Sequence, residues 1–261
     1  GLLSIGKQWV KENINNDISI ELFGQELNDQ TYAICKSDQL ISGENPENIY
    51  GPLSTLTKDQ LKDNKFDYII ANPPYGVSWK SEADEIKEEA KDPDGRFSVG
   101  LPSVSDGSFL FLMHMISKMN PKGSRVGVVF NASPMFQGKA GQGPSEIRKY
   151  LLENDLIEAI IQLPDRLFFN TGITTYIWII NNNKGNERIG KTQLIDASDY
   201  FKNIRIKLGE KSKEISYDQI QDIYKTFIDF KETENSKIFS NKYFGYTEIT
   251  INSPMKDKGS I

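Results

Sequence analysis

The chain has 261 residues, of which 38% are hydrophobic and 26% charged, and this fits one large α/β domain or a domain with an appendage. No apolar stretch approaches membrane length and no amino-terminal targeting segment is present, so we expect a soluble protein with no membrane partner. The net charge of −5 has the wrong sign for a protein that binds DNA phosphates by itself. The single cysteine, Cys35, excludes an internal disulfide and suits a reducing cytoplasm.

Helices and strands alternate through most of the sequence, which predicts an α/β fold with a doubly wound, mostly parallel sheet. Apolar periodicity predicts helices, and short apolar or β-branched runs predict strands. The predicted helices cover residues 2–10, 28–41, 109–119 (capped by Asp106) and 145–153. The predicted strands cover residues 18–23, 49–50, 67–71, 125–130, 157–163 and 174–181.

A turn-rich run at residues 181–185 divides the chain into a catalytic domain, residues 1–183, and a small α+β carboxy-terminal appendage, residues 184–261. In the appendage we predict a strand at 192–195, a helix at 217–230 and a closing strand at 244–251. Residues 77–105 show no convincing periodicity, and two interpretations stay open for them: a lid over a substrate site, or a plain surface insertion.

The tetrapeptide Asn72-Pro73-Pro74-Tyr75 directly follows the apolar strand at 67–71. Two consecutive prolines fix φ at about −65° and remove two backbone donors, so the chain must leave the sheet as a rigid corner. Open α/β sheets bind their ligands at the carboxyl ends of strands. A simple strand-ending turn has a similar composition, but the strand in front supplies the context that a functional motif requires.

The tetrapeptide resembles the signature of amino-group methyltransferases. Its residue types suit the methylation of an aromatic amine, such as the 6-amino group of adenine, whose lone pair is delocalised into the ring. The Asn72 side-chain oxygen and the Pro73 carbonyl can accept both amino protons and favour the nucleophilic form. The Tyr75 ring can restore about 1 to 3 kcal/mol of the stacking that a flipped base loses. The candidate catalytic residues are therefore Asn72, Pro73, Pro74 and Tyr75, and the scheme needs no metal.

The order and spacing of several further motifs resemble the modification (methyltransferase) subunit of type I restriction-modification systems. The resemblance runs essentially end to end and implies an adenine-specific DNA methyltransferase that uses S-adenosylmethionine. Its marks are Phe23-Gly24-Gln25-Glu26, the motif at Asn72, Gly95-Arg96-Phe97, Asp106-Gly107-Ser108-Phe109 with His114, Glu146-Ile147-Arg148, Leu163-Pro164 with Phe168, Thr171-Gly172-Ile173, and Phe244-Gly245-Tyr246. The lone histidine, His114, lies in an apolar helical run and is interpreted as a core or groove residue.

The resemblance also implies a donor site. Glu26 would hold the ribose hydroxyls of S-adenosylmethionine, and Gly1 is similar to the last glycine of the family's donor loop, so Gly1, Glu26 and Asn72 are the candidate cofactor-binding residues. The family's central first strand, between the strands that end at Glu26 and Ala71, has no counterpart in this sequence. We therefore expect a methyltransferase-type sheet with its first strand missing, in a chain that continues an earlier segment.

The resemblance implies double-stranded DNA as substrate, a separate sequence-specificity subunit and, in a full restriction system, a nuclease or translocase subunit. Two alternatives stay open. A glutamine amide in a protein presents planar chemistry similar to that of an aromatic amine, and a non-catalytic scaffold would keep the fold alone. The intact motif at Asn72 argues against the scaffold.

Overall fold

The computed structural model describes residues 1–247 and 249. The α-helices in this part of the chain are α1 (Leu2–Asn13), α2 (Asp29–Ile41), α3 (Ala83–Glu89), α4 (Ser108–Ser117), α5 (Ser133–Phe136), α6 (Gly143–Glu153) and α7 (Tyr217–Asp229). The strands are β1 (Gly24–Gln25), β2 (Ile49–Tyr50), β3 (Tyr68–Ala71), β4 (Arg125–Phe130), β5 (Ile157–Gln162), β6 (Tyr176–Asn181), β7 (Lys191–Asp196), β8 (Lys202–Leu208), β9 (Lys211–Glu214) and β10 (Ser236–Ser240). No helix among these is long and apolar enough to cross a membrane.

Six strands form the central sheet, in the order β10-β7-β5-β6-β4-β3. The strands β3, β4, β5 and β7 run in one direction, whereas β6 and β10 run against them. The prediction of a mostly parallel sheet is therefore wrong in its pairing, because three of the five neighbouring pairs are antiparallel. For the two pairs made by β6 the reason is the connection 163–175, which contains no helix and returns the chain antiparallel beside β5.

The main core lies between this sheet and α4. Leu110 and Leu112 of α4 are fully buried, and Trp178 of β6 packs edge-on against Phe109 and Phe130 at centroid distances of 6.3 and 5.9 Å. Such aromatic pairs contribute about 0.5 to 1.5 kcal/mol beyond the area they bury. The packing gives the carboxyl ends of β3 and β4 a rigid support.

β1 and β2 form a separate parallel pair that makes no ladder with β3. The outer edge of β3 is open in the described residues, and Tyr68 and Ile70 on it are 79% and 41% exposed. The predicted strand at 18–23 is wrong: these residues have no neighbouring strand to pair with, and the ladder begins only at Gly24. Helix α1 approaches β3 where Gly6 lies against the Ile70 side chain.

Residues 77–105, expected to be irregular, pack several of their side chains into the core. Trp79, Ile86 and Phe97 are at most 3% exposed and belong to the same hydrophobic cluster as α4. The helix α3 lies in this segment and was missed because its seven residues carry five charges, which hide the buried Ala83 and Ile86. The interpretation of a plain surface insertion is wrong for this segment.

The carboxy-terminal residues contribute directly to the sheet. β7 pairs in parallel with β5, β10 pairs with β7, and α7 packs Ile223 and Phe227 against them. The domain boundary at 183/184 stays a prediction. The strand predicted at 244–251 is wrong where the structure describes it: Phe244 ends a 3-10 helix (Asn241–Phe244) and residues 245–247 are irregular. Residues 248, 250 and 251 of that prediction lie outside the described residues.

Candidate active site

The motif corner starts at the last residue of β3. Ala71 pairs with Val128 of β4, so Asn72 is the first residue beyond the ladder, at the carboxyl end of the strand. Pro73 is buried, Asn72 and Pro74 are exposed, and Tyr75 is half-buried. The corner thus anchors itself through one proline and presents the Asn72 amide to solvent.

The structure brings Asn72 and Tyr75 into direct contact. The Tyr75 hydroxyl donates a hydrogen bond to Asn72 Oδ1 at 2.5 Å. Burial raises the pKa of Tyr75 to about 12, so the hydroxyl keeps its proton at neutral pH. In this arrangement the side-chain acceptor predicted to hold an amino group is occupied by the motif itself.

The chain after the motif is fixed within two residues. Gly76 has φ +61°, a left-handed conformation that glycine adopts without strain. The Val77 carbonyl then accepts a hydrogen bond from Gly107 N at 3.0 Å, and the buried Trp79 donates from its indole to the Ser103 carbonyl at 2.9 Å. Gly76 therefore makes the turn between the motif and an anchored segment.

A buried carboxylate connects this segment to the end of the neighbouring strand. Asp106 is 7% exposed, and its Oδ1 accepts from Ser108 N at 3.0 Å and from Ser108 Oγ at 2.6 Å. The prediction of Asp106 as the helix cap is wrong by one position, because the N-cap residue of α4 is Gly107. Its Oδ2 lies 2.6 Å from Ser133 Oγ, which is also 2.8 Å from Asn131 Oδ1. Asn131 directly follows β4, so Asp106 links the segment after the motif to the carboxyl end of β4.

Sequence reasoning missed the residues after β4. Asn131 and Ser133 follow their strand as Asn72 follows β3, and this shared position was the available signal. Phe136 of α5 is 69% exposed at the same edge of the sheet. Arg148 of α6 holds this turn by donating to the carbonyls of Pro134 and Gln137 at 3.1 and 2.6 Å.

Glu26 lies at the carboxyl end of β1 with its backbone held on both sides. Its N–H donates to the Tyr50 carbonyl and its carbonyl accepts from Leu53 N, both at 3.0 Å. The backbone of residue 51 can pass this close to the Glu26 carbonyl only because it is a glycine: a Cβ on Gly51 would lie 2.4 Å from that oxygen. Oε1 of Glu26 accepts from Asn28 N at 2.8 Å, and within the described chain Oε2 makes no hydrogen bond. A carboxylate with a free oxygen at a strand end fits a ribose hydroxyl.

Gly1 precedes the first residue of α1 and is exposed, with open space where a Cβ would stand. Neither Gly1 nor Glu26 forms a hydrogen bond with the motif residues in the described structure. The donor-side and motif-side candidates are thus held on separate elements, β1 and α1 on one side and β3 on the other.

His114 belongs to a polar cluster behind the site. Its Nδ1 lies 2.8 Å from Arg96 Nη1, while Arg96 forms a bidentate pair with Glu89 at 2.6 Å and donates to the carbonyls of Thr55 and Leu56. Burial, helped by the Arg96 charge, lowers the pKa of His114 to about 4. A neutral imidazole in this position is structural, as the sequence indicated. No group of three or more potential metal ligands occurs in the described residues.

The comparison with known families matches this architecture. The sequence profile described as N-6 DNA Methylase covers residues 1–250, and the chain belongs to that family. The resemblance recognised from the motifs is confirmed.

Individual relatives point the same way. The HindI methylase subunit of a type I restriction enzyme from Haemophilus influenzae is 33% identical over 71% of this chain and 39% of its own length. The MjaVII methylase subunit from Methanocaldococcus jannaschii is 31% identical over 86% of this chain and 38% of its own. The crystal structure of a type I restriction-modification methyltransferase subunit from Streptococcus thermophilus superposes with a TM-score of 0.72 at 27% identity, over 85% of this chain and 45% of that one. The chain therefore spans less than half the length of these relatives.

Proposed function

We propose that this chain forms the catalytic part of a type I restriction-modification methyltransferase subunit, which methylates the 6-amino group of adenine in DNA. The observation that carries the proposal is the Asn72 corner: an exposed amide held by a buried proline at the carboxyl end of β3. Membership of the N-6 DNA methylase family supports DNA adenine over other amino substrates.

In the proposed reaction the target adenine is flipped out of the duplex and placed against the corner. The amino group donates one hydrogen bond to Asn72 Oδ1 and one to the Pro73 carbonyl, which localises the lone pair on nitrogen. The Tyr75 ring stacks on the base after its hydroxyl has left Asn72 Oδ1.

S-adenosylmethionine, bound beside the corner, would supply the electrophilic methyl group. Glu26 is proposed to hold its ribose hydroxyls through the free Oε2, and Gly1 to lie at its binding loop. Asn72 is proposed to contact both S-adenosylmethionine and the target base. The fold type proposed is that of S-adenosylmethionine-dependent methyltransferases, with the gap between β1 and β3 at the position of the central strand.

Duplex DNA is the proposed substrate, and a separate specificity subunit is proposed to read its sequence, with a nuclease or translocase subunit as a further partner in a full restriction system. The net charge of −5 supports this division of labour, because an acidic chain gains little from phosphate contacts alone.

The test uses the full-length methyltransferase with its specificity subunit, DNA and labelled donor. We expect label in DNA as N6-methyladenine, and its loss in Asn72→Ala. Asn186→Ala is the matched control, since Asn186 is exposed and lies beside the opposite ends of the strands. Label in protein would favour a glutamine-amide substrate, and no label in either would favour the scaffold.

A further inference from the structure

The β8–β9 hairpin is a basic element in an acidic chain. Residues 201–214 carry five basic and two acidic side chains, a net charge of +3, whereas the whole chain carries −5. Arg205 and Lys207 are both exposed, and alternate positions on a strand place them on one face. Neither forms an ion pair in the part of the chain that the structure describes.

A largely basic cleft adjoins this face at Lys207. Arg166, Lys207 and Lys213 line one open cleft together with Asn203 and a single carboxylate, Asp165. Lys213 is committed to the fold: its Nζ lies 2.5 Å from Asp165 and 3.8 Å from the centre of the Phe201 ring. This leaves the positive charge of Arg205 and Lys207 available to a partner.

The hairpin lies at the same edge of the sheet as Asn72. It follows the carboxyl end of β7 and is bonded to the loop after β5, through Ser212 N to the Arg166 carbonyl at 3.0 Å and Glu210 N to the Phe169 carbonyl at 2.9 Å. β5 and β7 run in the same direction as β3. β5 is three strand spacings from β3, about 14 Å at 4.8 Å each.

We propose that this basic face, with Arg205 and Lys207 as its contact residues, binds the phosphate backbone of the duplex beside the flipped base. The inference rests on the proposed function, which makes duplex DNA the substrate. A duplex whose base enters the corner must run along this edge of the sheet, and the hairpin supplies positive charge there. Contacts of this kind fix the position of the duplex without reading its sequence.

The test compares Arg205→Gln/Lys207→Gln with Lys122→Gln/Lys242→Gln, in the full-length methyltransferase assembled with its specificity subunit. Lys122 and Lys242 are exposed and lie at the opposite edge, before β4 and after β10. The probe is a random-sequence 30-base-pair duplex, with Kd measured over a range of KCl concentrations. Each lost phosphate contact lowers the slope of log Kd against log salt by about 0.9. We expect a decrease of about 2 for the hairpin variant and none for the control.

An unchanged slope in a hairpin variant with a native circular dichroism spectrum would overturn the proposal. So would loss of the specificity subunit from that variant in size-exclusion chromatography, because the face would then be a protein interface. DNA labelling by the wild-type complex is measured in the same preparations. If the wild-type complex labels DNA and the hairpin variant keeps the wild-type slope of log Kd against log salt, the hairpin proposal alone is overturned. If the wild-type complex leaves DNA unlabelled, the proposed function is overturned.

Discussion

The Tyr75 hydroxyl donates a hydrogen bond to Asn72 Oδ1 at 2.5 Å. That oxygen is one of the two acceptors proposed for the 6-amino group, so a bound base and the hydroxyl compete for it. With its pKa raised to about 12 by burial, the hydroxyl remains a donor at every working pH. The corner therefore rests in a closed arrangement that the target base must open.

Tyr75→Phe keeps the ring and removes this competitor. A hydrogen bond contributes about 0.5 to 1.5 kcal/mol net, so we expect the KM for duplex DNA to fall by about 2- to 10-fold with kcat unchanged. Tyr75→Ala removes the aromatic ring, and base–aromatic stacking contributes about 1 to 3 kcal/mol. We therefore expect this variant to bind target DNA at least about 5-fold more weakly. Steady-state methylation measures both, and a higher KM in Tyr75→Phe would contradict the closed arrangement.

Phe136, 69% exposed on α5, is predicted to supply a second aromatic face to the flipped base. With 2-aminopurine at the target position, Phe136→Ala should give brighter fluorescence, because a stacked base is quenched, and weaker binding by about 1 to 3 kcal/mol. Tyr224→Ala on the exposed side of α7 is the control and should change neither. Equal fluorescence in all three proteins would exclude stacking on Phe136.

Arg96 is predicted to be the main polar clamp of residues 77–105. Arg96→Met leaves the partly buried Glu89 carboxylate and two carbonyls without their donor, so we expect a loss of about 2 to 3 kcal/mol in urea unfolding. Lys91→Met breaks the exposed pair with Glu88, whose side chains are over 70% exposed, and should cost less than about 1 kcal/mol. Similar losses of unfolding free energy in the two variants would contradict this stabilising role of Arg96.

His114 is predicted to make stability fall in acid. Its folded pKa of about 4 lies below the ordinary value near 6.5, so between these values the unfolded chain binds a proton that the folded one does not. The contribution is complete above pH 6.5 and is lost as pH falls towards 4, at up to about 1.4 kcal/mol per pH unit. His114→Gln should flatten this part of the stability curve. Because Asp59, Glu89 and Lys118 also face the ring, the difference between the wild-type and variant curves is the quantity to compare.

Local sequence patterns were sufficient to predict an element where the residues that determine its conformation lie within that element. The helix at α7 was predicted almost to the residue, because its apolar period and its Ser216 and Gln219 capping box are all local. β4 was predicted at its observed bounds, and the Asn72 corner was located because two prolines constrain their own backbone.

Long-range partners decided the remainder. The run at 18–23 looks like a strand but has no neighbour to pair with, and β6 and β10 take directions set by their connections and not by their composition. The charged helix α3 packs Ala83 and Ile86 into the same core as Phe97 and Trp79, which no local period reveals.

The sequence by itself determined the family and located the Asn72 corner directly behind its strand, since residue types and their spacing carry that information. Only the tertiary structure decided that Tyr75 occupies Asn72 Oδ1, that Asp106 links the segment after the motif to Ser133 at the end of β4, and that a basic hairpin lies at the same edge of the sheet. These relationships join residues far apart in the chain, and their geometry exists only after the strands have paired.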